Sequence, residues 1–143
     1  MTDTLPAGSV MILRLEGAVA ALGALAVFAA TGEDWRLAVI CFFVPDLSML
    51  GYLFGTRAGA AGYNAAHTYL GPAAIAAIGA ATSSSLTVSM AAIWVMHIGF
   101  DRMLGYGLKS QAGFRSTHLG SIGRAPQADR PGAGPSSANR ILM

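Results

Sequence analysis

The chain has 143 residues, enough for one domain, and only 11% of them are charged whereas 54% are hydrophobic. An average soluble domain carries about 25% charged residues, so this composition, with a mean hydropathy of +0.54, is typical of a membrane protein. The formal net charge of +2 comes from dispersed arginines rather than from a basic stripe with interleaved aromatic residues, which argues against a nucleic-acid partner. The single cysteine, Cys41, excludes an intramolecular disulfide and a cysteine-rich zinc site.

Four apolar stretches follow one another along the chain, and each is long enough to cross about 30 Å of hydrocarbon as a helix of about 20 residues. They cover residues 11–30, 36–55, 60–81 and 86–106. The third is the weakest because it is mostly alanine and glycine. The G-x-x-x-G pairs of Gly51, Gly55 and Gly59, at the end of the second stretch and in the turn after it, suit close helix packing in membranes. Short turns separate the stretches, so sequential helices should be antiparallel neighbours. We therefore predict an all-α integral membrane domain over residues 1–120, an antiparallel four-helix bundle.

The distribution of basic residues predicts the orientation of this bundle. With four spans, both termini and the second turn share one side, which holds Arg14, Arg57, Arg102 and Lys109, whereas the other side holds only Arg36. The positive-inside rule then places both termini in the cytoplasm and the protein, as a multi-pass protein, in the inner membrane. The segment over residues 121–143 is rich in Gly, Pro, Ser and Ala without an apolar period, which predicts a disordered cytoplasmic tail.

Helical register predicts that four ionisable residues, one on each helix, lie at one depth. In an antiparallel hairpin, two residues equidistant from the turn sit at the same height. Asp46 and His67 each lie about ten residues from the turn near residue 56, and His67 and His97 each lie about fifteen from the turn near residue 82. Glu16 and Asp46 are related in the same way about the first turn. Ionisable side chains inside a membrane are costly, so this level is where we expect a functional site.

Further polar residues surround this level and extend it toward the cytoplasm. Asp101 lies four residues after His97, on the same helix face. Two prolines, Pro45 and Pro72, flank the level and can kink their helices, which would give either ordinary membrane-helix kinks or a deformed, partly hydrated pocket. The other polar residues of the predicted site are Ser48, Tyr52, Asn64 and His118, the last in a loop that could cap the site.

Two histidines and two or three carboxylates inside a helical bundle form a plausible ligand set for zinc, manganese or iron. Asp46, His67, His97 and Asp101 are the predicted metal ligands, and Glu16 and Asp101 are the candidate catalytic groups, as base or orienter of an imidazole. An Asp–His–His proton relay would suit a transporter instead. A third interpretation is that these residues only hydrogen-bond one another to hold the helices together.

Several strings of residues, in order, resemble a bacterial membrane family named domain of unknown function 4260. They are RLEG (14–17), PDLSMLGY (45–52), YNAAHTY (63–69), HIGFDRMLGYGLK (97–109), Phe114 and THLG (117–120), and the resemblance covers about residues 11–122. It implies a small multi-span membrane protein and assigns no activity or catalytic residue. The Pro-Asp element with downstream histidines is also loosely similar to small membrane-bound metal-dependent hydrolases, although the spacings differ.

These observations leave three functional hypotheses open and do not decide whether the protein is an enzyme. The first is a metal-dependent membrane hydrolase acting on a small or lipid-like substrate that partitions into the bilayer. The second is a small proton-coupled transporter or channel-like oligomer, which would require a homodimer because four short helices enclose little volume. The third is a structural membrane protein without catalytic activity.

Overall fold

The computed structural model describes residues 6–109, 116–117 and 120–121, and in this part of the chain the fold is all-α apart from one short strand pair. The helices are α1 (Ala7–Thr31), α2 (Trp35–Cys41), a 3₁₀ helix (Val44–Phe54), α3 (Thr56–Ala66), α4 (Leu70–Ala81) and α5 (Ser85–Leu104). Strands β1 (Ser116–Thr117) and β2 (Gly120–Ser121) pair antiparallel. Apart from Ser121, the tail predicted to be disordered lies outside the described residues, as does His118.

The second and third apolar stretches each contain a break between two helices, and a proline follows each break. α2 ends at Cys41, and the chain then tightens into the 3₁₀ helix, which begins at Val44 and Pro45. α4 begins two residues before Pro72. Proline has no N–H, so it is tolerated in the first turn of a helix, where that N–H would lack a helical partner. The 3₁₀ helix has 11 residues, which is long for a conformation that rarely exceeds four, and such stretches often mark a hinge or local strain.

Helices α1 and α5 pack backbone against backbone through two glycines. A Cβ atom at Gly99 would lie 2.7 Å from the Gly17 carbonyl oxygen, and one at Gly17 would lie 2.8 Å from the Gly99 carbonyl oxygen. Further along, the hydroxyl of Ser89 donates to the hydroxyl of Thr31 at 2.7 Å. Since Gly17 faces Gly99 while Thr31 faces Ser89, the two helices run antiparallel. α5 is therefore the main packing partner of α1, and not α2, the next helix in the chain, which the short turn predicted to be its neighbour.

The 3₁₀ helix and α3 form a tight hairpin about Gly55. Gly51 lies against the α3 backbone, where a Cβ would be 3.4 Å from the Cα of Gly59, and the ring of Tyr52 lies directly over Gly59. The left-handed φ of +106° at Gly55 makes the turn that joins the two elements. Gly51 and Gly59 thus serve helix packing, which is the role that the sequence indicated for them, whereas Gly55 makes the turn.

α4 packs antiparallel against α5, again through glycines. Gly71 lies under the indole of Trp94, and Gly79 lies against Val88. The indole Nε1–H of Trp94 donates at 2.6 Å to the carbonyl of Ala66, the last residue of α3. Because α3 ends at Ala66, the carbonyl of Ala66 has no hydrogen-bond donor within the helix and needs one from elsewhere. The hydrogen bond therefore stabilises the break and fixes it against α5.

Apolar side chains cover much of the outer surface of the described segments, whereas the buried core is small. Leu53 and Phe54, for example, are 80% and 84% exposed. Two helical segments, Gly8–Thr31 and Trp35–Phe54, are long and apolar enough to cross a membrane. The buried core cluster consists of Phe28, Ala38, Ala92 and Ile93.

Candidate metal centre

Four ionisable side chains meet at the hairpin and at α5. Nε2 of His67 lies 3.1 Å from Nε2 of His97. Oδ1 of Asp46 lies 3.7 and 3.6 Å from these two nitrogens, and Oδ2 of Asp101 lies 3.5 and 3.9 Å from them. One donor atom from each residue lies within 4.8 Å of the other three. The arrangement is a compact group of two imidazoles and two carboxylates.

The two helix breaks bring three separate elements to this point. Asp46 lies in the first turn of the 3₁₀ helix, directly after Pro45. His67 is the residue at which α3 ends, with a φ of −110° that leaves the helical range. His97 and Asp101 lie one turn apart on α5, so both side chains project from the same face. Asp46 and His67 therefore both lie at helix ends that the breaks create, and from there they reach the side chains of α5.

Hydrogen bonds orient the His67 ring. Its Nδ1 lies 2.8 Å from the carbonyl oxygen of Tyr63, and because a carbonyl can only accept, Nδ1 carries the proton. In the neutral ring, Nε2 then presents its lone pair to the other donors. The Tyr63 ring stacks on the imidazole with centroids 3.7 Å apart. This is the arrangement expected of a metal-ligating histidine, whose second nitrogen usually donates to a carbonyl or carboxylate.

His97 is held by packing. The residue is 2% exposed, and its ring meets the Phe42 ring edge-on with centroids 5.1 Å apart. Phe42 is in the break between α2 and the 3₁₀ helix. The same break that positions Asp46 therefore also supports the ring of His97.

Tyr63 and a lysine complete the surroundings of Asp101. The Tyr63 hydroxyl donates to Oδ2 of Asp101 at 3.1 Å, and Nζ of Lys109 lies 5.1 Å from the centroid of the Tyr63 ring. Burial lowers the pKa of Lys109, and the charge of Asp101 opposes this shift by favouring the ammonium form. The Asn64 side chain binds the Lys109 backbone at two points, accepting from its N–H at 2.7 Å and donating to its carbonyl at 2.9 Å. The segment after α5 therefore folds back beside the cluster.

Charge and spacing both suit a divalent cation. Asp46 and Asp101 place two carboxyl groups, with side chains 39% and 17% exposed, beside two buried imidazoles, and carboxylates withdrawn from water are usually paired with a cation or coordinate a metal. A tetrahedral zinc ion with bonds of about 2.0–2.1 Å holds its ligand atoms about 3.3–3.4 Å apart. The nitrogen–nitrogen and nitrogen–oxygen separations of 3.1–3.9 Å bracket this value. Since no two of the four donor atoms are more than 4.8 Å apart, the residues can close around one ion after shifts of less than about 1 Å.

Comparison with protein families finds a match over residues 10–122 to a family described as domain of unknown function (DUF4260). The chain belongs to this family. No curated protein and no solved structure matches it. Asp46, His67, His97 and Asp101, the four residues of the DUF4260 chain that come together, all lie inside the matched range.

The structure brings together three of the four residues that register placed at one depth, and it leaves Glu16 outside. Glu16 is exposed on α1 beside Ile12, Leu15 and Val19, and it is absent from the group of donor atoms found among the described residues. Asp101, which was predicted to lie next to this level on the cytoplasmic side and to bind the metal, is part of the cluster itself.

The remaining polar residues of the predicted site have separate positions. Tyr52 packs on Gly59, Asn64 holds Lys109, and the hydroxyl of Ser48 is buried in the wall of an adjoining cavity. The spacing of four residues between Tyr63 and His67 puts both on one helix face, so the sequence could predict that they are neighbours. The hydrogen bond from Tyr63 to Asp101 joins residues 38 positions apart, and no local pattern predicts it.

Proposed function

We propose that this protein is a multi-pass membrane protein that binds one divalent metal ion, zinc by preference, through Asp46, His67, His97 and Asp101, and acts as a metal-dependent hydrolase. The observation that carries the proposal is the convergence of four donor atoms, from three elements, within 4.8 Å. Two imidazoles and two carboxylates suit zinc, and manganese or iron would accept the same donors.

The membrane placement is the second part of the proposal. The two segments with the length and composition of membrane spans and the exposed apolar surface support it. We propose that residues 56–81 and α5 cross as well, so that the four stretches form an antiparallel bundle in the inner membrane. Both termini would then face the cytoplasm, on the side of Arg14, Arg57, Arg102 and Lys109.

The residues around the cluster can support hydrolysis. With Asp46, His67 and His97 as its ligands, a metal ion bound here would keep a fourth position for a water molecule, which would ionise near neutral pH. Asp101, which accepts a hydrogen bond from Tyr63, can bind the ion or take a proton from that water. Asp46 is the more exposed of the two carboxylates, so substrate and water would approach from its side. Glu16 lies outside this arrangement and would not act as its base.

Metal content is the decisive measurement. Protein purified without chelators should contain about one metal ion per chain, and His67→Ala or His97→Ala should reduce this below about 0.2 because each removes one of four ligands. Glu16→Gln is a matched control, since it removes an acidic side chain from the same predicted depth but outside the cluster, and it should retain the metal. A metal-free wild type whose content does not change in His67→Ala would refute the proposal and favour a structural role.

The direct contact between the two imidazoles also supports an alternative, a proton relay in a small transporter. His67 and His97 lie within hydrogen-bonding distance of one another, with a carboxylate on either side. Such a chain could pass a proton if the protein formed a homodimer that enclosed a pathway. Proton flux into liposomes would be abolished by Asp46→Asn if this hypothesis is correct, and flux equal to that of the wild type would reject it.

A further inference from the structure

An apolar cavity of about 300 Å³ lies beside the candidate metal centre, among α2, the 3₁₀ helix, α3, α4 and α5. Its volume is at the lower end of the range for ligand pockets, about 300–1,000 Å³. Its lining includes Cys41, Pro45, Ser48, Ala66, Ile75 and Trp94.

Residues that are close to the metal ligands in the chain form part of the cavity wall. Pro45 directly precedes Asp46, Ala66 directly precedes His67, and Ile93, also in the cavity wall, lies one turn before His97 on α5. Both helix breaks contribute to the wall, because Pro45 begins the 3₁₀ helix and Ala66 ends α3. A ligand in the cavity would therefore have one end next to the cluster.

The chemistry of the wall fits an alkyl chain joined to a polar group. Most lining side chains are aliphatic or aromatic, and the indole N–H of Trp94 is already bonded to Ala66. The hydroxyl of Ser48 is buried, and it has no hydrogen-bond partner within the described part of the chain. A buried hydroxyl without a partner destabilises the protein, so a polar group of the ligand at this position would be favoured.

The cavity rim lies on the outer surface of the molecule. Val44 and Met90, which line the cavity, are 51% and 37% exposed. In a bilayer, these residues would face lipid, so an alkyl chain could enter sideways from the membrane. A water-soluble substrate does not partition into the membrane, so this route would not favour its entry.

We propose that the cavity binds the alkyl chain of the substrate, and that the substrate is a single-chain amphiphile whose polar head reaches Asp46, His67, His97 and Asp101, with its linking group bonded to Ser48. This inference rests on the proposed metal-dependent function. A bilayer solvates alkyl chains as well as the cavity does, so the chain alone gives little net affinity. Selective binding therefore requires the head and the chain on one molecule.

Cys41 provides a reporter, because it lines the cavity and is the only cysteine of the chain. Zinc-loaded protein in phosphatidylcholine nanodiscs would be treated with N-ethylmaleimide, and the alkylation rate of Cys41 followed by mass spectrometry. Dodecanohydroxamate, which has both a metal-binding head and a chain, should slow alkylation about tenfold when it fills about 90% of the sites. Acetohydroxamate, with the head alone, and dodecanol, with the chain alone, should leave the rate unchanged.

Two substitutions test the location. Ile75→Trp fills the cavity and should remove the protection by dodecanohydroxamate, whereas Ile78→Trp, on the exposed side of the same helix, should preserve it. Ser48→Ala, which changes little volume, should weaken the protection without changing the zinc content. Each effect is measured as the ratio of rates with and without ligand, so altered access of the reagent cancels.

The outcomes separate the two proposals. If zinc does not bind, the proposed function fails and the inference falls with it. If zinc binds but Cys41 is not protected, or dodecanol protects as well as dodecanohydroxamate, or Ile75→Trp retains the protection, then only the inference is wrong and the cavity holds ordinary bilayer lipid.

Discussion

Tyr63 connects two ligands of the candidate metal centre through one side chain, since its ring stacks on His67 and its hydroxyl donates to Asp101. Tyr63→Phe keeps the stacking and removes the hydrogen bond. We expect metal affinity to fall about 10–100-fold, the usual effect of removing a group that orients a ligand. Competition with a chelator of known affinity would measure the change.

The control for this variant is Tyr106→Phe, which removes a tyrosine hydroxyl from a residue that is 40% exposed. Its metal affinity should equal that of the wild type. If Tyr63→Phe also binds metal with wild-type affinity, the hydroxyl does not support Asp101 as a ligand, and Asp101 would have to be held by other groups.

Asn64 acts on the backbone of Lys109 rather than on the cluster, because its amide bonds both the N–H and the carbonyl of that residue. Asn64→Ala should release the segment after α5 and increase trypsin cleavage after Lys109, since proteases cut backbone that opens locally. Cleavage products identified by mass spectrometry would report the change. Thr82→Ala, which removes hydroxyl bonds to Ile78 and Gly79, is the control and should leave this site unchanged. Equal cleavage in both variants would show that Asn64 does not hold the segment.

The residue scale also shows why helical register predicted three of the four clustered side chains but also included Glu16, which lies outside the cluster. Counting from a turn gives the depth of a residue in a helix, but it does not give the direction of the side chain around the helix axis. Asp46 and His67 flank a short hairpin whose two elements pack together, so equal depth became proximity. α1 buries Gly17 against α5, and Glu16, one residue earlier, points about 100° away from that contact.

At the scale of elements, the sequence predicted where the helical stretches lie, but it predicted only in part where they are interrupted. Apolar length predicted four helical stretches, and the prolines indicated where two of them could bend. The length of the 3₁₀ helix after Pro45 could not be predicted, because no local signal distinguishes 11 residues of 3₁₀ from α-helix. The direction of the 3₁₀ helix places Asp46 beside α5. The cluster therefore depends on packing that cannot be predicted from the sequence.

The contact between α1 and α5 gives a prediction at this scale. Gly99→Ala would place a Cβ 2.7 Å from the backbone of Ala21 and Gly17, so the helices must separate. We expect the free energy of unfolding to fall by about 1–3 kcal/mol, as in other overpacked interiors. Gly23→Ala, on α1 with nothing within 4 Å of the added atom, should be neutral or stabilising. Unfolding in detergent micelles would measure both; equal stability of the two variants would mean that the close approach is not required.

At the scale of the whole molecule, hydrogen bonds join the ends of elements that are distant in sequence. The hydroxyl of Ser85 donates to Glu33 at 2.8 Å, so the turns before α2 and before α5 lie at the same end. Arg14 donates to the carbonyl of Met103 at 2.8 Å near the opposite end. This arrangement is consistent with the topology predicted from the positive-inside rule, in which the first and third turns share one side and the termini share the other.

That topology can be tested with single cysteines in a Cys41→Ala background. Ser83→Cys lies in an exposed turn and Thr56→Cys at the exposed start of α3, at opposite ends of the proposed bundle. In bacterial spheroplasts, a membrane-impermeant maleimide should label Ser83→Cys directly and Thr56→Cys only after lysis, because four spans with cytoplasmic termini place the third turn outside and the second turn inside. Labelling of both positions in intact spheroplasts would mean that residues 56–81 do not cross the bilayer. Labelling of Thr56→Cys alone would mean that the bundle is inverted, and the basic residues at that end would then face away from the cytoplasm.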